Sequence, residues 1–229
     1  MATTRATHRH AIHCVTLRFR PRSYARGYTR CKLRLDPAYG AIADALGDSR
    51  LPLLDIGCGM GLLGLYLHER GLCPDYLGVD IDPRKLRDGI AAIGAASATL
   101  RLREGDAACL PAHNGHVVLL DVLHYLSPAV QEGALRGAAA RVAPGGLLLV
   151  RTCLADRSWR HRATVAEEWL LHASGWMRSD GTRNMPRREQ VELALRREGF
   201  KVTSRPLWGL TPFNSHLFVA GRGAAVSAA

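Results

Sequence analysis

The chain has 229 residues, 47% of them hydrophobic, enough for one domain with a real core. Thirty-one Lys or Arg against 20 Asp or Glu give a net charge of +11, which asks for an anionic partner or a well-solvated surface. No run is long enough to span a bilayer, the start lacks the apolar stretch of a secretory signal, and the six cysteines form no C-x-x-C pair. A membrane span, a secreted disulfide scaffold and a metal site are therefore not expected, and a reducing cytoplasm fits.

Residues 1 to 35 hold nine Lys or Arg and no acid. That composition is also found in organellar transit peptides, but arginine is abundant throughout this chain. Residues 1 to about 10 read as disordered, and residues 1–50 as a basic extension and helical cap. The cap proper, 21 to 47, carries Tyr24, Tyr28, Leu33, Leu35 and Tyr39, with Asp36-Pro37 opening its second helix. From 51 to about 220 strands and helices alternate, the doubly wound α/β signature. Ser127-Pro128 opens a helix over 127 to 142; further helices are expected over 156 to 175 and 187 to 198. Lys201 to Leu207 and Phe213 to Ala220 read as closing strands, and 221–229 as a frayed tail of small residues.

The most informative stretch is Leu53-Leu54-Asp55-Ile56-Gly57-Cys58-Gly59-Met60-Gly61-Leu62-Leu63-Gly64. A buried strand runs into a glycine-rich turn and then a helix. Glycines let the backbone approach a ligand, and a helix start offers free N–H groups. Two ligands compete. Gly59-x-Gly61-x-x-Gly64 matches the dinucleotide fingerprint. Counted from Asp55, the pattern is an acid followed by Gly57, Gly59 and Gly61. A pyrophosphate would be repelled by that acid, whereas a ligand with an ammonium and a sulfonium would be attracted.

The acid-first pattern resembles motif I of the class I S-adenosylmethionine-dependent methyltransferases. Further segments follow in the family's order: Tyr76-Leu77-Gly78-Val79-Asp80, Glu104-Gly105-Asp106-Ala107, Val117-Val118-Leu119-Leu120-Asp121, and Arg141-Val142-Ala143-Pro144-Gly145-Gly146 before Leu147 to Val150. The resemblance implies a seven-stranded, mostly parallel sheet of order 3-2-1-4-5-7-6 with strand 7 antiparallel. It implies S-adenosylmethionine held by Asp55, Gly57, Cys58, Gly59 and Gly61, by Asp80 on the ribose hydroxyls with Ile81 beside it, by Asp106 and Ala107 at the adenine, and by Asp121. Cys58 also reads simply as a small side chain that fits the loop.

Methyl transfer needs the acceptor held in line with the methyl group, and a base only where the acceptor loses a proton. Asp121, His124 and Tyr125 follow the fourth strand, whose carboxyl end lines the ligand crevice in this architecture. His124 has the pKa range of a base, and Asp121 reads better as an orienting group. Tyr24, Arg26 and Tyr28 of the cap, and Trp159 beyond the fifth strand, are candidates for acceptor contacts; ordinary packing explains the same residues. His216 near the last strand reads as structural.

The acceptor expected is a small molecule. The segment from Arg26 to Pro37 and Gly175-Trp176-Met177 resemble bacterial methyltransferases associated with aryl-polyene and fatty-acid-like pigment synthesis. That resemblance implies an aryl or acyl acceptor, tethered to an acidic carrier protein that the basic surface would dock. Charge alone favours an RNA or protein methyltransferase. However, Asp121-Val122-Leu123-His124 is not the Asn/Asp-Pro-Pro-Tyr motif of base-nitrogen methylation, so nucleic acid is the poorer choice. A non-catalytic cofactor-binding module is the remaining alternative.

Overall fold

The computed structural model describes residues 2–72, 75–94, 98–156, 158–160, 184–210 and 213–222. Seven strands form one sheet: β1 (Leu53–Ile56), β2 (Tyr76–Asp80), β3 (Leu100–Glu104), β4 (His116–Leu120), β5 (Leu147–Cys153), β6 (Lys201–Pro206) and β7 (Ser215–Gly221). Their order is β3-β2-β1-β4-β5-β7-β6, and β7 runs antiparallel to both β5 and β6. The expected topology is therefore present in full.

Every residue of β1 is buried, as a central parallel strand covered on both faces requires. Alternate side chains enter opposite layers. Leu53, Val118 and Leu149 join the core under the N-terminal helices. Leu54, Ile56, Leu119 and Val150 join the core under α6 (Pro128–Ala139) and α7 (Arg188–Arg197). The edge strand β6 alternates exposed and half-buried residues and ends at Pro206, which discourages further pairing.

The expectation of a disordered start is corrected. Helix α1 spans Ala2–Leu17. Ala11, Ile12, Val15 and, just past its end, Phe19 recur at helical spacing and pack into the core shared with α4 (Leu62–Glu69). His8 Nδ1 lies 2.7 Å from the Tyr66 hydroxyl, and Arg18 pairs with Glu69 at 2.6 Å. The charge of this segment hid a narrow apolar stripe.

The cap is two helices, α2 (Tyr24–Leu35) and α3 (Ala38–Leu46), as expected. Ser23 caps α2 by accepting the Arg26 N–H, and Asp36 Oδ1 accepts the Ala38 N–H at 3.0 Å between the helices. Helix α5 (Pro83–Ile93) follows β2, with Asp82 accepting the Arg84 N–H. Most of the helix expected over 156 to 175, the Gly175-Trp176-Met177 segment and most of the tail lie outside the described residues.

Candidate functional site

A cavity of about 540 Å3 opens at the carboxyl ends of β1, β2 and β4, roofed by α2. Ligands bind at this edge of an open α/β sheet because loops and helix starts converge there. One end is built by the glycine turn. Gly57, Gly59 and Gly61 have φ of 74°, 57° and 67°, a region costly for other residues. At Gly57 even a methyl group would strike Val122 at 2.1 Å. The turn is tied to β2 by the Gly57 and Cys58 N–H groups, which donate to Val79 O at 2.8 and 3.0 Å.

Asp80 completes that tie. Its Oδ2 accepts the Gly59 N–H at 2.7 Å and its Oδ1 the Asp82 N–H at 2.8 Å. Each carboxylate oxygen has further acceptor capacity for a ligand hydroxyl. Asp55, 1% exposed, receives the Tyr76 hydroxyl on Oδ2 at 2.6 Å. Its Oδ1 is buried without a hydrogen-bond partner. Burial pushes the Asp55 carboxyl up to about 7; the Tyr76 hydrogen bond opposes this and Asp80 adds to it. Burial, Asp55 and Asp80 likewise push the Cys58 thiol well above its ordinary value, so it is inert as a nucleophile.

The other end combines aromatics with a buried ionic cluster. Tyr24, Tyr28 and Lys32 lie one turn apart on α2 and line the cavity. The Tyr24 and Tyr28 rings stack, with centroids 6.3 Å apart. Lys32 Nζ meets Asp36 Oδ2 at 2.8 Å and Asp121 Oδ2 at 3.2 Å. Arg151, rising from β5, bonds the same Asp121 oxygen, and its Nη2 donates to Ser215 Oγ at 3.0 Å. Asp121 takes a left-handed φ of 61°, which Asp tolerates better than most residues. Its burial alone would raise its pKa, but Arg151, Lys32 and His124 outweigh that and hold it ionised well below the usual range. Its Oδ1 is buried and unpartnered.

His124 and Tyr125 sit in a 3-10 turn just past β4 and line the same cavity. The His124 ring is held by Thr152, Nδ1 to Oγ1 at 3.2 Å, and lies 4.2 Å from the Tyr125 ring.

Of the residues expected from sequence, the structure brings Asp55, Gly57, Cys58, Gly59, Asp80, Asp121, His124, Tyr125, Tyr24 and Tyr28 to one cavity. Others lie outside its lining. Gly61 shapes the turn from beneath, where added bulk would meet Leu102 at 2.9 Å. Ile81 is 72% exposed. Asp106 accepts the Ala108 N–H in an exposed turn, with Ala107 packed partly against the second core. Arg26 lies off the cavity face of α2. Trp159 is exposed under the Arg160 guanidinium, which stands 4.7 Å from its ring and 4.5 Å from that of Trp208.

Sequence reasoning missed Lys32, Asp36, Tyr76 and Arg151. Lys32 was within reach, since it continues the Tyr24, Tyr28 spacing. Arg151, a charge inside the apolar run of β5, was the other available signal. Tyr76 needed the strand register.

These residues suit a cationic ligand. Asp55, Asp80, Asp82, Asp88 and Asp121 line the cavity together with Lys32, Arg84, Lys85 and Arg151, and of these bases Lys32, Arg84 and Arg151 are paired with carboxylates. A pyrophosphate would face these acids, whereas an ammonium would meet the unpartnered Asp55 Oδ1 beside the glycine turn. Among the described residues no group of His, Cys, Asp or Glu is arranged to hold a metal, and no helix is long and apolar enough to cross a membrane.

The model of a methyltransferase domain matches residues 17–205. No curated protein matches the sequence. Solved structures share the fold. Magnesium protoporphyrin IX methyltransferase from Synechocystis PCC 6803, with bound SAH, is 16% identical over 88% of each chain, with a TM-score of 0.64. An O-methyltransferase family protein from Burkholderia thailandensis is 17% identical over 88% of this chain and 60% of that one, with a TM-score of 0.65. A chain from the complex of the Haloferax volcanii Trm112 activator with a methyltransferase is 17% identical over 86% of this chain and 93% of that one, also with a TM-score of 0.65. With its matched domain, its sheet order and an acid-bearing cavity beside the glycine turn, the chain belongs to the methyltransferase domain family, of the class I fold that uses S-adenosylmethionine.

Proposed function

We propose that the protein methylates a small aryl or acyl molecule bound between α2 and the end of β4. The observation that carries this reading is the acceptor end of the cavity, where Tyr24, Tyr28, Tyr39, His124, Tyr125 and Phe213 provide aromatic surface around polar anchors. S-adenosylmethionine, when bound, supplies an electrophilic methyl group on sulfur. Asp55 and Asp80 would hold its ammonium and ribose, with Ile81 beside Asp80, and the adenine would reach beyond the cavity lining towards Asp106 and Ala107. Asp121 would orient a hydrogen-bond donor of the acceptor through Oδ1, the oxygen that has no protein partner. His124, its ring fixed through Thr152, is the residue assigned to take the acceptor's proton.

Arg26, Arg30 and Arg34 recur one turn apart on α2, a helix without an acid. This strip beside the cavity roof supports docking of an acidic carrier protein that presents the acceptor. The test is a panel of phenols, acyl-carrier conjugates and RNA incubated with S-adenosylmethionine and scored for methylated product. Tyr28→Ala is expected to raise KM for the accepted compound severalfold while leaving cofactor affinity unchanged. Methylation of RNA alone across the panel would overturn the reading.

A further inference from the structure

We propose that Tyr76 is a positioning residue for the cofactor: its hydroxyl clamps Asp55 Oδ2, so that Oδ1 is left to accept the ligand's ammonium and the carboxylate form is favoured. The proposal rests on the S-adenosylmethionine reading of the cavity.

Tyr76 opens β2 and is fully buried. Strands β1 and β2 pair with Asp55 opposite Gly78, which places Tyr76 two positions earlier, opposite Leu53, on the same face of the sheet. Its ring lies against α4 in a slot that exists because residue 64 is glycine. A methyl group there would come within 2.6 Å of Tyr76 Cε1 and 2.8 Å of Cζ. The ring is therefore fixed, and its hydroxyl reaches Asp55 Oδ2 at 2.6 Å. Phenylalanine would fill the slot as well; the hydroxyl is the part that core packing does not explain.

The consequence follows from what else faces Asp55. From β2 there is Asp80, which disfavours a second negative charge nearby, and from the glycine turn Cys58, whose thiol is held neutral. From β4 the neighbour in register is Val118, which is apolar. Leu62 and Leu63, from the start of α4, line the same cavity and carry no charge. Burial and Asp80 thus press Asp55 towards its neutral acid, and Tyr76 is the group that opposes them. A neutral Asp55 would lose its charge attraction for an ammonium. One hydrogen bond therefore fixes the direction of the remaining oxygen and favours its charge.

The test compares two ligands by calorimetry from pH 6 to 8.5. S-adenosylhomocysteine carries the amino-acid group, and 5′-methylthioadenosine lacks it. Tyr76→Phe is expected to weaken S-adenosylhomocysteine about tenfold at pH 7, the worth of one hydrogen bond to a charged group. Affinity should return as pH rises, and 5′-methylthioadenosine should be unaffected. In an Asp55→Asn background, adding Tyr76→Phe should no longer separate the two ligands. An equal loss for both ligands, or a loss independent of pH, would make Tyr76 merely structural and overturn the proposal. Failure of the unaltered protein to bind S-adenosylhomocysteine would overturn the cofactor reading itself, and the proposal with it.

Discussion

Arg151 Nη1 and Asp36 Oδ2 meet at 3.1 Å, both side chains nearly sealed from solvent, and join β5 to the turn between α2 and α3. Lys32 and Asp121 complete the cluster, so two acids and two bases fasten the roof of the cavity to its floor. Removing one partner of such a group strands the others in a poorly solvated place, which typically costs about 3–5 kcal/mol. Arg151→Met should therefore lower the urea midpoint by an amount corresponding to at least about 3 kcal/mol. Asp36 and Asp121 would be left to Lys32 alone. A loss below about 1 kcal/mol would show that the cluster does not hold the cap.

Asp55 and Asp121 should act on stability in opposite senses. Asp121 is depressed in the folded protein, chiefly because Arg151 and Lys32 outweigh its burial. Its contribution is present above the ordinary carboxylate range and is lost as pH falls through the folded value. Asp55 is raised to about 7, so the folded state binds its proton more tightly than the unfolded chain does. Stability from this group is highest in acid and declines as pH rises to about 7, by on the order of 4 kcal/mol at 1.36 kcal/mol per unit. Asp55→Asn should thus stabilise the ligand-free protein at pH 8 but not at pH 4. Urea unfolding at both values checks this, and equal effects at the two would refute it.

The glycines of the turn should separate folding from binding. At Gly57 a Cβ would overlap Val122, and φ is left-handed, so Gly57→Ala should destabilise the protein by about 2 kcal/mol or more. At Gly59 the nearest atom is Lys85 Cδ at 3.9 Å, so Gly59→Ala meets only the φ penalty, about 1 kcal/mol. It should fold and yet lose cofactor affinity, because its methyl group enters the ligand's side of the turn. Thermal denaturation with calorimetry distinguishes the two variants.

The His124 assignment predicts a change in kcat rather than KM. His124→Ala should lower kcat by about a hundredfold or more for an acceptor that loses a proton. Thr152→Val, which removes the 3.2 Å contact to Nδ1, should shift the pH dependence of kcat with less loss. Full activity in His124→Ala would remove the base assignment.

The sheet was legible because its signals are local. Each central strand is a short apolar run, and Asp55, Asp80 and Asp121 stand at or just past strand ends, so chain order and the family pattern placed them together. The docking of α1 was not, because its stripe of Ala11, Ile12 and Val15 is narrow and lies among basic residues. Lys32 and Arg151 are 119 positions apart in a chain of 229 and meet only through Asp36 and Asp121, which no periodicity reveals. The Tyr76 hydroxyl finds Asp55 through the pairing of β1 with β2, a tertiary fact. Arg26 and Trp159 were chosen for their chemistry. Arg26 stands off the helix face that Tyr24, Tyr28 and Lys32 turn to the cavity, and Trp159 stacks with Arg160 outside it.

Calorimetric titration of S-adenosylmethionine into the unaltered protein and into Asp80→Ala tests whether this cavity is the cofactor site. Asp80 holds the glycine turn through the Gly59 N–H and retains acceptor capacity towards the cavity. One cofactor should bind per chain, with affinity weakened about tenfold or more in the variant. Equal affinity in the two proteins, or no binding in the unaltered one, would contradict that assignment.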